Sequence, residues 1–293
     1  MAWILFSLLA AFIWAGTNIL DKYILSKWVK TPTLVLMGFG LACLIAAAGI
    51  YVFKGFAPMD WKVVVASLLS GIFYLLAELM YYKAAQVEEI SRVISLIYLD
   101  GLFTAILSAI FLGEIFSPLK YLGVVLLVAG AIAISYKKST GFKFTKAIWL
   151  CILGAVLYSF CSQFAKFSLN HSDYWTVFAY IRLGTFIALL PVYYSNFKTL
   201  KIFATQETKR FGILILNNAA VLVGALFFVI AASLGYLTLA NALAATQPFF
   251  VLIMIVSLSL FYPHVLKEES NKVIVAQKVF AMVLMFIGVL LVT

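Results

Sequence analysis

Charged side chains are scarce in this sequence. Only 11% of its 293 residues are aspartate, glutamate, lysine or arginine, whereas 65% are hydrophobic. An ordinary soluble domain is about one-quarter charged and about half apolar. The shortage of charge therefore excludes a soluble globular protein and indicates a chain that lies in a membrane.

Cysteine and histidine are also rare, with three and two copies. Cys43, Cys151 and Cys161 all fall inside apolar stretches, where a thiol acts as a small packing group, so neither a disulfide framework nor a metal site is expected. The sequence has no phosphate-binding Gly-x-x-x-x-Gly-Lys motif and no nucleophile elbow. We therefore expect no enzyme activity and no cofactor.

Long apolar stretches are what the sequence has in abundance. Each is about 20 residues long, which is the length of helix that crosses the hydrocarbon core of a bilayer. Only helices satisfy all backbone polar groups internally in lipid, so the predicted fold is an all-α membrane protein with ten transmembrane helices. The ten stretches are residues 2–20, 33–53, 63–82, 93–112, 120–136, 147–167, 175–194, 211–232, 238–262 and 273–292.

Lysine and arginine, which give the chain a formal charge of +10, are unevenly placed. They concentrate in the loops that follow the odd-numbered helices. Because basic loops stay in the cytoplasm, this asymmetry predicts a multi-pass protein of a prokaryotic cell membrane with both termini outside. Membrane orientation thus explains the charge, and no nucleic-acid partner is expected. The first helix lacks a basic flank and a cleavage site, so it is not predicted to be a signal peptide.

The two halves of the sequence resemble each other. Trp14 and Lys22 pair with Tyr158 and Lys166 at an offset of 144 positions. The offset is 147 for the third and fourth helices against the eighth and ninth, and 158 for the fifth against the tenth. This growth predicts an insertion at residues 264–271.

Five helices per half is an odd number, so residues 1–140 and 141–293 are predicted to cross the membrane in opposite directions. Inverted repeats of this kind surround a central cavity in secondary transporters and expose it alternately to the two sides. The sequence therefore favours a transporter over a structural scaffold.

Polar residues cluster on particular predicted helices and, within a helix, on one face. The fifth and tenth helices carry almost none, so we expect them at the periphery. For each amide or hydroxyl, hydrogen bonding between helices is the alternative role. The residues predicted to bind substrate are Trp14, Asn18, Tyr74, Glu78, Tyr81, Tyr98, Asp100, Tyr158, Arg182, Asn241 and Gln247.

Three of these residues are ionisable: Glu78, Asp100 and Arg182. A charge at the centre of a membrane helix costs about 2.5–3.5 kcal/mol, so such residues usually face a cavity or a partner. A buried ion pair of Arg182 with one acid leaves the other acid unpaired. That acid is protonated, binds a cationic substrate group among the aromatic rings, or exchanges a proton during transport. Proton coupling is thus a separate hypothesis.

Four segments carry a family resemblance. Residues 12–27 (FIWAGTNILDKYILSK) and 81–135 hold the most specific features, which include a Tyr-x-x-Ala turn, Leu-Gly-Glu ending at Glu114 and Gly-x-x-Leu-x-x-x-Gly in the fifth helix. Residues 158–169 and 180–186 add the sixth helix and the arginine of the seventh. The chain resembles the EamA-type members of the drug/metabolite transporter superfamily.

The resemblance implies ten helices, a central cavity and transport of small organic metabolites without ATP hydrolysis. It also implies cytoplasmic termini, against the charge count, which we follow. The chain departs from the family pattern at Gly101, where a proline is common. The repeat pairs Glu78 with Ala225 and Asp100 with Gln247, so both acids break the internal symmetry. A specific substrate site would break it in this way.

The leading hypothesis is a secondary transporter of an amino acid or related amine-bearing metabolite, with an acid holding the ammonium and Arg182 the carboxylate. The runner-up is a carrier of cationic amines or quaternary ammonium compounds. A membrane-embedded lipid flippase or a non-transporting assembly subunit is the alternative from another class. The partners expected are the small-molecule substrate and the lipid bilayer, and the sequence does not fix the oligomeric state.

Overall fold

A computed structural model describes residues 2–29, 31–111, 113, 117–135, 145–261 and 272–292. These residues form helices and no strands, which confirms the all-α prediction for the described part of the chain. Glu114 and the predicted insertion at 264–271 lie outside it. The helices are α1 (Ala2–Lys27), α2 (Pro32–Lys54), α3 (Trp61–Val87), α4 (Ile90–Ile97), α5 (Asp100–Phe111), α6 (Pro118–Ser135), α7 (Lys146–Leu169), α8 (Tyr174–Gln206), α9 (Thr208–Leu234), α10 (Leu237–Ala244), α11 (Gln247–Phe261) and α12 (Lys272–Val292).

The described residues of all ten predicted spans are helical, except that two of the spans are broken by a short turn. The stretch at 93–112 is divided into α4 and α5, and the stretch at 238–262 into α10 and α11. Each break is a turn of two residues, 98–99 in the first span and 245–246 in the second, and each stretch is still long and apolar enough to cross a membrane. Broken helices occur at membrane depth where the freed backbone groups face protein or a cavity. Pro248, at the second position of α11, fits a helix start because its missing N–H is not needed in the first turn.

The two helices with few polar residues, α6 and α12, pair with each other. α6 packs along α12, and a Cβ placed on Gly130 would lie 2.8 Å from the carbonyl oxygen of Ala281. A Cβ on Gly288 would lie 2.8 Å from the carbonyl oxygen of Gly123. The repeat pairs Gly130 with Gly288, so the two helices approach through equivalent positions.

A second close approach joins α3 to α8. A Cβ on Gly71 would lie 2.6 Å from the backbone nitrogen of Thr185, and a Cβ on Gly184 would lie 2.8 Å from the Cα of Leu68. The Thr185 hydroxyl also donates a hydrogen bond to the Gly71 carbonyl oxygen, at 3.1 Å. The backbones of α3 and α8 are therefore in contact at this crossing.

The corresponding crossing of α2 and α9 is different. The repeat pairs Gly71 with Asn218, whose side chain is fully buried and lies against Gly38 of α2. Among the residues that the structure describes, neither polar atom of the Asn218 amide has a hydrogen-bond partner. The side chain of Asn218 thus separates α2 from α9. At the equivalent position of the α3–α8 crossing, Gly71 lets the two backbones touch.

Two lysines make equivalent contacts in the two halves. The Lys22 ammonium donates to the carbonyl oxygens of Ala85 and Glu88 at 2.6 and 2.9 Å. Lys166, its repeat partner, donates to the carbonyl oxygens of Ala232 and Gly235 at 2.6 and 2.8 Å. Each lysine therefore satisfies carbonyl groups at the end of a helix, α3 in one half and α9 in the other.

We predict that Lys22→Met and Lys166→Met each lower the free energy of unfolding by about 1.5–3 kcal/mol, because each removes charge-assisted hydrogen bonds to otherwise unpaired carbonyls. Thermal unfolding of the purified protein in detergent measures the loss. Lys83→Met is the matched control, since Lys83 is exposed near the end of α3. Unfolding temperatures equal to that of the control would contradict the capping role.

Candidate functional site

A cavity of about 130 Å³ lies at the centre of the bundle. It is large enough for a small organic molecule or several waters. All eleven residues that the sequence singled out line it, together with residues that were not singled out. Their placement is observed, whereas a role in binding substrate stays a prediction. The eleven are Trp14, Asn18, Tyr74, Glu78, Tyr81, Tyr98, Asp100, Tyr158, Arg182, Asn241 and Gln247.

The two broken spans meet at the cavity. The Tyr98 hydroxyl, at the break between α4 and α5, donates a hydrogen bond to Oε1 of Gln247, the first residue of α11. Asn241 of α10 donates to Oδ2 of Asp100 at 3.2 Å and to Oγ1 of Thr104 at 3.1 Å. Side chains therefore tie each broken span to the other at the depth where both backbones are interrupted.

Asp100 is incompletely paired. It is buried, and its Oδ1 atom has no hydrogen-bond partner in the described part of the chain. It is also the first residue of α5, where the helix dipole favours a negative group. Asp100 therefore offers one open acceptor atom beside the cavity.

Glu78 lies in an aromatic environment. The phenol groups of Tyr74 and Tyr158 lie next to its carboxyl group, which is 8% exposed. Trp14 lines the same cavity, and its indole N–H donates to the Val221 carbonyl oxygen at 3.2 Å. The rings around Glu78 present π faces of the kind that hold an ammonium group.

A third acid, Asp21, was missed by the sequence reasoning. The first apolar stretch was taken to end at residue 20, but α1 continues to Lys27 and buries Asp21. Asn217 donates to its Oδ1 at 2.7 Å, and the Tyr81 hydroxyl lies 3.4 Å from its Oδ2. The spacing of Trp14, Asn18 and Asp21 in steps of four and three was the signal that would have found it.

Arg182 is buried among aromatic rings. Its guanidinium carbon lies 4.7 Å from the Tyr74 ring centroid and 4.9 Å from that of Phe178. Its Nε and Nη1 atoms have no hydrogen-bond partner, and no ion pair joins it to Glu78 or Asp100 among the described residues. The buried ion pair considered from the sequence is therefore not found.

The balance of charge in the cavity follows from these contacts. Three carboxyl groups and one guanidinium line it, rather than the two carboxyls counted from the sequence. Within the described ranges, no cluster of three histidine, cysteine or acidic side chains has a metal-binding arrangement. The site is thus a cavity with several aromatic walls whose lining residues include incompletely paired groups of both signs.

Comparison with known proteins agrees with this architecture. Residues 1–136 match the model of the EamA-like transporter family, which confirms the family resemblance for this part of the chain. A solved structure described as "Crystal structure of protein" has a TM-score of 0.72 and 15% identity, and the match covers 99% of this chain and 95% of that chain. At this identity the likeness shows a shared fold. A comparison with curated proteins found no match.

We predict opposite effects of one substitution at two adjacent positions. Asn217→Leu leaves Asp21 without its closest donor and should cost about 1–3 kcal/mol of stability. Asn218→Leu replaces an unpaired amide by an apolar group of similar shape and should leave stability unchanged or raise it. Thermal unfolding of both variants beside the parent protein measures the difference. Equal losses would show that the two amides have equivalent surroundings.

Proposed function

We propose, from the EamA-like transporter domain that residues 1–136 carry, that the chain is a secondary active transporter of a small organic metabolite. The proposed substrate is an amino acid or a related amine-bearing compound, and the proposed mechanism is alternating access. The coarse function, movement of small solutes across a membrane, is the one that the family suggests. The substrate class is our inference from the cavity.

The proposed substrate class rests on one observation. Two residues that line the cavity hold buried polar atoms of opposite sign that have no partner within the described part of the chain, namely Oδ1 of Asp100 and Nε and Nη1 of Arg182. A buried polar atom without a partner destabilises the protein by about 1–3 kcal/mol, so a ligand that satisfies both groups gains binding free energy. A zwitterion does this, because its carboxylate accepts from Arg182 and its ammonium donates to Asp100.

Aromatic groups complete the proposed site. Tyr74 contributes a face to the Arg182 guanidinium and also lies beside Glu78. A bound ammonium between Asp100 and Glu78 would meet the rings of Tyr74 and Tyr158. The carboxylate end of the substrate would lie toward Arg182. The shape of the cavity thus supports a small molecule rather than a long one.

A carrier of cationic amines remains the second candidate because Asp21 adds a third carboxyl to the cavity. If all three acids are ionised, Arg182 compensates only one of them. Asp21, however, already accepts a hydrogen bond from Asn217 and lies near the Tyr81 hydroxyl. Its paired state favours a role in holding α1, α3 and α9 together, or in the hypothesised proton coupling, over substrate contact.

The crossings described above suggest how access would alternate. α3 and α8 are in backbone contact at Gly71 and Gly184, whereas Asn218 stands between α2 and α9. In an inverted repeat these two crossings lie toward opposite membrane faces. We infer that the α3–α8 crossing closes one side of the cavity and that the two crossings exchange roles when the cavity opens to the other side.

We predict that Arg182→Met weakens amino-acid binding about 30-fold or more, because loss of one partner of a desolvated charged contact costs at least about 2 kcal/mol. Binding of the decarboxylated amine should be nearly unchanged. Asp100→Asn should weaken both ligands. The measurement is ligand-dependent thermal stabilisation over pairs of amino acids and their corresponding amines.

Glu78→Gln should weaken both ligands less than Asp100→Asn does, since the Glu78 carboxyl group already has two phenol neighbours. An Arg182→Met variant that binds both ligands as the parent does would contradict a carboxylate subsite. A parent protein that prefers the amine over the amino acid would favour the second candidate.

We predict that Gly71→Ala reduces transport at least about fivefold, because overpacking at a close backbone contact costs about 1–3 kcal/mol. Substrate binding in detergent should persist, since the methyl group enters the α3–α8 crossing and not the cavity. Gly16→Ala is the control, as a Cβ there meets nothing within 4 Å. Counterflow in proteoliposomes measures the rate, and equal rates for the two variants would show that the crossing does not gate transport.

A further inference from the structure

A second cavity, of about 460 Å³, opens on the outside of the bundle, where α7 lies between α3 and α5. We name it the lateral groove. Its walls are the first turns of α3, the end of α5 and the last turns of α7, with four phenylalanine rings from Phe111, Phe160, Phe164 and Phe167. Phe111 at its edge is 67% exposed, so the groove faces the region that lipid tails occupy.

The groove has the form of a slot for one chain. It runs along α3 from Trp61 to Leu69, a rise of about 12 Å at 1.5 Å per residue. One turn further along α3, the Phe73 ring packs at 5.6 Å from the rings of Phe160 and Phe164. These rings close the inner end of the groove, so the acyl chain of a bound lipid would cross the phenylalanine rings and leave the groove toward the surrounding membrane.

A cation stands at the mouth of the groove. Lys62 is on the first turn of α3, exposed, and its ammonium lies 5.9 Å from the Trp61 ring centroid. Tryptophan and lysine at a helix end mark the level of the lipid headgroups. An anionic phosphate at this level would meet the Lys62 ammonium.

A buried amide lies on the floor of the groove. Gln163 is 7% exposed, and its Nε2 atom donates to the Thr104 carbonyl oxygen at 3.2 Å and to Ser108 Oγ at 2.9 Å. Its Oε1 atom is buried and has no hydrogen-bond partner in the described ranges of the chain. The rest of the groove is mostly apolar. A hydroxyl or amine group of a bound molecule could therefore donate a hydrogen bond to the unpaired Oε1 atom of Gln163.

We propose that the lateral groove binds a lysophospholipid with an anionic headgroup. The single acyl chain packs against the four phenylalanine rings, the phosphate contacts Lys62, and the free glycerol hydroxyl donates to Gln163 Oε1. A diacyl lipid lacks that hydroxyl, because an ester blocks it.

The site is connected to the central cavity through hydrogen bonds. Gln163 contacts Thr104, and Thr104 Oγ1 accepts from Asn241, which also donates to Asp100. α7 therefore presents one face to the groove and the opposite face, with Tyr158, to the cavity. A lipid in the groove would act on the position of α5, the helix that begins at Asp100.

Quenching of tryptophan fluorescence by lysophosphatidylglycerol with a brominated acyl chain tests the proposal on the full chain in uncharged detergent. We expect saturable quenching that is largely lost in Trp61→Phe. Lys62→Gln should bind about tenfold more weakly, since a charge-assisted contact is lost. Lys62→Arg keeps the cation and should bind as the parent does. Lys54→Gln, at the other end of the same α2–α3 connection, should have no effect.

Two lipid variants test the remaining contacts. The 2-O-methyl ether of the same lipid should bind more weakly than the free hydroxyl, and Gln163→Leu should abolish that difference. Lysophosphatidylcholine, with its zwitterionic headgroup, should bind more weakly as well. Quenching that rises linearly with lipid, or that is equal for both headgroups and for Lys62→Gln, would overturn the proposal and leave only bulk lipid contact.

Discussion

Every polar group buried in a hydrocarbon environment must find its partner within the protein, and the structure depends on this constraint. The two broken spans satisfy it by turning toward each other, through Tyr98 with Gln247 and Asn241 with Asp100. The helix ends satisfy it through Lys22 and Lys166. Against this background, the few atoms left without partners stand out, and two groups of them belong to charged side chains that line the central cavity.

The two halves share a scaffold and differ at the positions that matter for chemistry. The lysine contacts and the Gly130–Gly288 contact have the same form in both halves. Glu78, Asp100 and Arg182 have no equivalent across the repeat, and Gly71 corresponds to the unpaired Asn218. The shared contacts build the framework, whereas the differing positions carry the proposed substrate site and the proposed gate.

Much of this could be predicted from the sequence because hydropathy and helical spacing act locally. The ten spans and the inward face of Tyr74, Glu78 and Tyr81 follow from such patterns. The breaks in two spans could not be predicted, because they depend on partners more than a hundred positions away. Asp21 was missed because it lies one residue beyond the predicted end of the first span. Whether Arg182 forms an ion pair could not be predicted, because it depends on how the neighbouring helices are placed. The lateral groove likewise arises only when three helices come together.

The lysine contacts have a mechanical consequence. α1 packs along α9, and α3 packs along α7. The hydrogen bonds of Lys22 therefore connect the α1–α9 pair to the α3–α7 pair at the end of α3. The hydrogen bonds of Lys166 connect the same two helix pairs at the end of α9. In an inverted repeat these two lysine contacts lie at opposite membrane faces. A tilt of one helix pair against the other would stretch the hydrogen bonds of one lysine and leave those of the other in place. Because the two contacts are chemically alike, the proposed alternating access would meet a similar resistance in either direction, and this part of the framework would favour neither open state.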